Sequence, residues 1–372
     1  MHHISIVSLL LASISLALFG LGLAQPGVER AAGTHKVPLG AHGRRSSSSQ
    51  CNGYSELCDR QFDLVAFPTT HNSYAFGDNI AANQNYDVQQ QLDDGIRGFM
   101  LDLHNVSSTT LRKRDSGADP YLCHTTCLLL NDGPFTTTLK YFTTFLEAHT
   151  DQVITIFLEN DDSFSPATIQ QSFEDAGLDK YVYTPTAPNS NGTYAWPTLG
   201  EMIAQNTRVV VLDDRNTNTT EVPWLVYDKD YSVQTPYTVG VGSSFDCSLL
   251  TALRPLLVMN HFVYSNYSVL NMVVEKPSPD TASIVNTRQS LVDQANLCGG
   301  AGMFPNFITL DFYDVGDLFQ AVADINKVDY TNTSLSTDFS SGPDSPTTSG
   351  ASTHALPTAL LAVVAALALF LA

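Results

Sequence analysis

QQLDDGIRGFMLDLH, residues 90–104, changes character halfway along. Its first part belongs to a polar segment of helical character, VQQQLDD (88–94); the rest, IRGFMLDLH (96–104), is an apolar run ending in an acid and a histidine. The run is continuous rather than alternating, the pattern of a strand covered on both faces. Similar runs recur: DLVAFPTTH (63–71), YLCHT (121–125), QVITIFLEN (152–160), RVVVLDD (208–214), LLVMNHF (256–262) and FITLDFY (307–313). Segments of helical character lie between them, among them TTTLKYFTTFLEAH (136–149), PATIQQSFEDAG (166–177) and SIVNTRQSLVDQANL (283–297). Strand alternating with helix predicts an α/β fold with a parallel sheet. A weaker strand at YVYTP (181–185) brings the number to eight, enough to close a single (β/α)8 barrel.

Polar and ionisable residues stand at the C-terminal ends of these strands: His71 and Asn72, Asp102 and His104, His124, Glu159 and Asn160, Asp213 and Asp214, Asn260 and His261, and Asp311. In a barrel those ends share one face, so residues scattered in sequence are expected to form one cluster in space.

The ends of the 372-residue chain read differently. Residues 1–24 contain an apolar run followed by small residues, the pattern of a secretory signal, and 25–50 read as a linker or propeptide. After the folded unit, placed at 51–330, comes a Ser/Thr-rich stalk (331–355) and an uncharged apolar tail (356–372). Small residues at Ser340–Gly342 or Ser349–Ala351, a polar spacer and that tail predict a glycolipid (GPI) anchor at the outer face of the plasma membrane or the cell wall. A retained membrane helix is the competing reading at either end. Six cysteines fit an oxidising compartment; proximity pairs Cys51 with Cys58 and Cys123 with Cys127, leaving Cys247 with Cys298. Asn-x-Ser/Thr sequons at Asn105, Asn191, Asn218, Asn266 and Asn332 agree with secretion. A formal charge of −19, with basic residues scattered, argues against nucleic acid and against electrostatic docking on anionic lipid.

The ordered set THNSY (70–74), QQLDDGIRGFMLDLH, LCHTTC (122–127) and VITIFLEN (153–160) resembles the X-box of phosphatidylinositol-specific phospholipases C. PNFITLDFYDVGDLFQAV (305–322) is similar to the secreted, fungal-type branch of phospholipase C-like phosphodiesterases. The resemblance covers nearly all of residues 51–327. It implies a barrel that cleaves an inositol phospholipid or related phosphodiester through a cyclic inositol phosphate, with His71 and His124 flanking the phosphate. Two imidazoles suit that chemistry, because the attacking hydroxyl needs a base, the departing oxygen needs an acid, and histidine titrates near working pH. His71 is expected at the nucleophile and His124 at the leaving group. Asp311 ends the last strand, beside the first in a closed barrel, and is placed to orient His71 as a carboxylate orients a catalytic imidazole.

Eukaryotic members hold calcium with an Asn, two acids on strand 2 and a Glu on strand 4. Asn72, Asp102 and Glu159 match three of these, and Met100 stands where the fourth ligand, an acid, is expected. Bacterial members use a strand-2 arginine instead; Asp102 occupies that position here, and Arg97 lies five residues earlier. A decayed site is the third reading. Two other functions compete with inositol-lipid cleavage. One is a related phosphodiesterase of sphingomyelin or glycerophosphodiester type. The other is a non-catalytic surface or wall protein, suggested by Met100, the acidic composition and the lack of an obvious basic phosphate pocket.

YLCHTTC (121–127) allows a zinc clasp, a redox pair or a braced base. No second Cys/His pair of comparable spacing accompanies it, and a redox pair has two intervening residues rather than three. A short disulfide that aims His124 into the mouth is the remaining reading.

Overall fold

The computed structural model describes residues 50–106, 119–188, 194–249, 254–269, 272–337 and 339. The expected signal peptide, most of the linker, both anchor triplets, the apolar tail and the sequon at Asn191 lie outside the described residues, as does the side chain of Asn266.

The strands are β1 (Phe67–Thr70), β2 (Gly98–His104), β3 (Tyr121–His124), β4 (Leu130–Pro134), β5 (Ile154–Glu159), β6 (Val209–Asp213), β7 (Leu225–Tyr227), β8 (Ser232–Gln234), β9 (Leu256–Asn260), β10 (Tyr264–Val269), β11 (Met272–Pro277) and β12 (Pro305–Leu310). The helices are α1 (Val88–Asp94), α2 (Phe135–Ala148), α3 (Pro166–Ala176), α4 (Leu199–Gln205), α5 (Asp228–Tyr231), α6 (Pro279–Val285), α7 (Arg288–Gly300) and α8 (Leu318–Asn326). Eight strands form one curled parallel sheet in the order β7-β6-β5-β2-β1-β12-β9-β8. Among the described residues no ladder joins β7 to β8, so the barrel has an open seam there, bridged by the single turn α5.

Alternation along each strand sorts the core into two sets, because successive side chains point to opposite faces. Phe99, Leu101, Ile156, Leu158, Val211, Leu257, Ile308 and Leu310 pack outward with helix residues such as Leu139, Phe142, Phe173 and Leu291. Phe67, Met100, Phe157, Val210, Leu212, Val258 and Phe307 fill the interior. Among the described residues, both sets are drawn from the stretch 51–339. Gly98 is required by a close approach: a Cβ there would meet Thr69 Oγ1 at 2.3 Å, where β2 lies against β1. Asp87 caps α1 through the Gln90 amide, and Gly95, at φ 112°, ends it.

The α/β barrel reading holds, with two corrections to its strands. YLCHT is not a barrel strand; β3 pairs antiparallel with the end of β2 (Leu103↔Leu122) and with β4, a hairpin set on the rim. YVYTP forms only a bridge at Val182↔Val209 and no strand. The two remaining barrel strands are β7 and β8, three residues each and too short to stand out as apolar runs. The disulfides are Cys51–Cys58, Cys123–Cys127 and Cys247–Cys298, as proximity predicts. Residues 331–337 and Phe339, assigned by composition to the stalk, lie against the barrel: the Leu335 amide donates to Asp93 O, and Phe339 meets the Tyr141 ring edge-on.

Candidate active site

The C-terminal ends of the barrel strands open into a cavity of about 590 Å³. His71 follows β1, and its backbone amide donates to Leu310 O of β12 at 2.9 Å. That register, Thr70 opposite Leu310, sets His71 beside Asp311. The His71 Nδ1 to Asp311 Oδ1 distance is 2.9 Å, and the ring lies flat on Phe262, centroids 4.2 Å apart. A carboxylate can only accept here, so Nδ1 carries the hydrogen and Nε2 is left for the cavity that His71 lines.

His124 ends β3 and reaches the cavity from the rim. Its Nδ1 donates to Ala81 O at 2.7 Å, which leaves Nε2 as an acceptor, 3.3 Å from Asn72 Nδ2. Burial holds its pKa below the ordinary imidazole range, against a smaller upward pull from the Ala81 carbonyl. Thr125, at φ 60°, makes the left-handed turn that leads into the Cys123–Cys127 bridge.

A buried amide joins the two histidines. Asn83 donates to Asp311 Oδ1 at 2.9 Å and accepts from Asn72 Nδ2 at 3.2 Å, while Asn72 also bonds His124. Asn72 holds φ 41°, a conformation that asparagine tolerates better than most residues. Its amide hydrogens being used, its carbonyl oxygen is the atom left for a ligand. Nothing in the sequence signals Asn83, because it comes from a loop without periodicity.

Asp102 and Glu159 face one another across the β2–β5 ladder and point into the same cavity. The Tyr74 hydroxyl donates to Asp102 Oδ2 at 2.7 Å, and Oδ1 is buried without a partner. Burial, then the charge of Glu159, pushes the Asp102 carboxyl well above its usual range. The enclosing walls raise Glu159 as well, against the pull of His71. Two carboxylates that disfavour each other's charge, one with an orphaned oxygen, and a neighbouring amide oxygen are hard-cation donors in kind. The set is one acid short: Met100 occupies the intervening interior position with a thioether. Among the described residues no group of three or more His, Cys, Asp or Glu side chains is arranged to hold a metal ion.

The far wall corrects the expectation of a cavity without basic groups. Arg215 and Lys229 line it together with Asp161, Asp214 and Asp228. Arg215 Nη2 lies 2.7 Å from Asp161 Oδ1, and Nε 3.1 Å from Asp214 Oδ2. Asp228 is pushed up to about 7 by burial. These cations come from separate turns and form no run in the sequence.

Of the strand-end residues, His71, Asn72, Asp102, His124, Glu159, Asp214 and Asn260 line the cavity, and Asp311 stands behind His71. The others point elsewhere. His104 faces Asp161 Oδ2 at 3.3 Å. Asn160 bonds Phe164 and Asp213. His261 is fully buried, bonded to Gln294 and to Val285 O, and stacked on Phe245. Arg97 sits at the opposite end of β2, its guanidinium on Leu92 O and over the Phe145 ring, which removes the bacterial-type arginine reading.

The profile of the PI-PLC X 1 family matches residues 57–326. An uncharacterized secreted protein of Arthroderma benhamiae is 28% identical over 302 residues, covering 77% of this chain and 66% of that protein. PI-PLC X domain-containing protein 1 of the same organism is 28% identical over 283 residues, covering 74% of this chain and 89% of that one. Among solved structures, the phosphatidylinositol-specific phospholipase C of Listeria monocytogenes aligns with a TM-score of 0.45 at 16% identity, covering 74% of this chain and 96% of the enzyme. With a matching profile that spans most of its barrel, the chain belongs to the PI-PLC X family.

Proposed function

We propose that the protein is an extracellular, GPI-anchored phosphoric diester hydrolase of phospholipase C type that cleaves inositol phospholipids. The observation that carries this reading is the pair of imidazoles on one cavity, each with Nδ1 committed and Nε2 turned to the same space. In the first stage His71 Nε2 takes the proton of the inositol 2-hydroxyl as that oxygen bonds to phosphorus, and Asp311 stabilises the imidazolium formed. The bond from phosphorus to the diacylglycerol oxygen breaks, and that oxygen takes its proton from His124. Burial favours neutral His124, and an arriving phosphate anion offsets this by stabilising the charged ring. Water then opens the cyclic phosphate with the two roles exchanged. Arg215, Lys229 and their acidic neighbours provide paired donors and acceptors for a polyhydroxyl head group.

Asn72, Asp102 and Glu159 would hold a calcium ion, with water completing its shell in place of the acid replaced by Met100. The ion would supply positive charge at the phosphate. Met100 also favours a second reading, a barrel that binds phosphodiesters without turning them over. One assay separates the two: residues 46–339 should release cyclic inositol phosphate from phosphatidylinositol micelles, and His71→Ala or His124→Ala should each lower the rate by about 10²–10⁴. Absence of turnover on inositol, sphingomyelin and glycerol phosphodiesters, with and without calcium, would leave the binding reading. A chelator that slows the wild-type reaction supports the ion; a rate unchanged by chelator removes it.

A further inference from the structure

Phe262 is nearly closed off from solvent, at 2% exposed, although the cavity runs past it. Its ring lies on the face of the His71 imidazole, with centroids 4.2 Å apart and planes 2° from parallel. Tyr264 closes the corner edge-on, 6.4 Å from His71 and 5.8 Å from Phe262. Successive side chains of an extended segment point to opposite sides, so Asn260, Phe262 and Tyr264 face the cavity while His261 turns into the protein.

That alternation gives Phe262 a firm mounting, because His261 pins the exit of β9. The His261 amide donates to Thr309 O of β12 at 2.9 Å. Its ring is fully buried, with Nδ1 2.6 Å from Gln294 Oε1, Nε2 2.8 Å from Val285 O, and its face on Phe245. Val285 ends α6 and Gln294 lies on α7, to which the Cys247–Cys298 bridge ties the turn that carries Phe245. Two helices and a disulfide therefore fix the backbone from which the Phe262 ring projects.

His71 needs such a wall. Among the described residues, the polar contacts of its ring fall on Nδ1: Asp311 Oδ1 at 2.9 Å and Asn83 Nδ2 at 3.2 Å. A hydrogen bond tolerates a tilt of about 30°, and a tilt of that size pivoting on Nδ1 carries Nε2 about 1 Å off its line into the cavity. At the Nε2 end, the flat contact with Phe262 is what keeps the ring in plane. An aromatic face also attracts a cation, so it favours the imidazolium that forms when His71 takes a proton.

We propose that Phe262 is a positioning residue for His71, holding the imidazole plane so that Nε2 points into the cavity and favouring its charged form during turnover. It acts through His71 and not on the substrate, because so little of its own surface is open. Its use in turnover rests on the phosphodiesterase reading; the order it imposes on the ring does not.

The test compares Phe262→Leu and Phe262→Met, which fill the site without a ring, with Phe262→Tyr, which keeps one, all in the full chain in detergent. On phosphatidylinositol micelles, kcat should fall about 10–100-fold in the two ringless variants with KM within about twofold, and Phe262→Tyr should stay within about threefold of the wild type. With ¹⁵N-labelled histidine, the His71 Nδ1–H signal is assigned by its loss in His71→Ala. It should exchange with solvent faster in the ringless variants than in the wild type or Phe262→Tyr. Melting curves show that each variant folds, and rates are taken well below the lowest midpoint. Rates that follow the melting temperature instead of the ring, or an Nδ1–H signal alike in all four proteins, overturn the proposal. So does a raised KM with kcat held, because Phe262 would then be a substrate contact. Ring-dependent exchange in a protein without turnover keeps the positioning and removes the hydrolase; turnover indifferent to the ring does the reverse.

Discussion

The two histidines of the cavity are held by unlike parts of the molecule. His71 stands on the β1–β12 ladder, with an aromatic ring against its face and a carboxylate on its Nδ1. His124 stands on a rim hairpin, with a backbone carbonyl on its Nδ1 and a five-residue disulfide loop, Cys123 to Cys127, around it. An anionic partner stabilises an imidazolium; a neutral carbonyl in a buried setting does much less, and there burial prevails. Similar reach into one cavity therefore comes with a carboxylate behind one ring and a neutral carbonyl behind the other, which is what assigns His71 to taking a proton and His124 to giving one up.

That contrast can be broken first at Asp311. Asp311→Asn keeps the shape of the side chain but removes the charge behind His71, and turnover should fall about 10³-fold. A loss below tenfold, with the fold intact, would mean that His71 needs no charged partner. On the other side the support is covalent. Cys123→Ser/Cys127→Ser should lower turnover by about 10–100-fold through misplacement of His124. It should cost about 2 kcal/mol or less in stability, since the loop closed is short. A larger stability loss with turnover preserved would make the bridge structural only.

Asn83 touches both halves. Asn83→Ala leaves Asp311 and Asn72 each short of a buried partner, at about 1–3 kcal/mol in stability. Turnover should drop about tenfold, with the loss in kcat rather than KM, because positioning and not binding is disturbed. An unchanged kcat would show that the two halves act independently. The smallest effect is in titration. NMR of the empty cavity should place the His124 pKa below 6.5, so that the ring is mostly neutral at pH 6.5 and gains its proton only as pH falls further. Inorganic phosphate should move that pKa upward. An ordinary value that phosphate does not move would remove the acid role from His124.

Much of this arrangement was legible in the sequence. Continuous apolar runs ending in polar residues place β1, β2, β5, β6, β9 and β12, because strands buried on both faces leave no other pattern. His71, Asn72, Asp102, Glu159 and Asp311 stand at those ends, and His124 at the end of a run that proves to be a rim strand. What escaped has local causes. Tyr121–His124 carries strand residues, but pairing direction depends on the partner, and β2 accepts it antiparallel. β7 and β8 are too short for periodicity to show. Asn83, Tyr74, Arg215 and Lys229 act through contacts between loops distant in sequence, where spacing carries no information. Strand-end position alone also over-selected: His104, His261, Asn160 and Asp213 turn to neighbouring loops and helices instead.

Two imidazoles exchanging protons around one phosphodiester leave a direct trace in ³¹P NMR of phosphatidylinositol turnover by residues 46–339. A cyclic phosphodiester signal should appear first, followed by a monoester as water opens the ring, with both signals lost in His71→Ala. Direct appearance of the monoester without the cyclic species, or a cyclic signal that persists in His71→Ala, would contradict it.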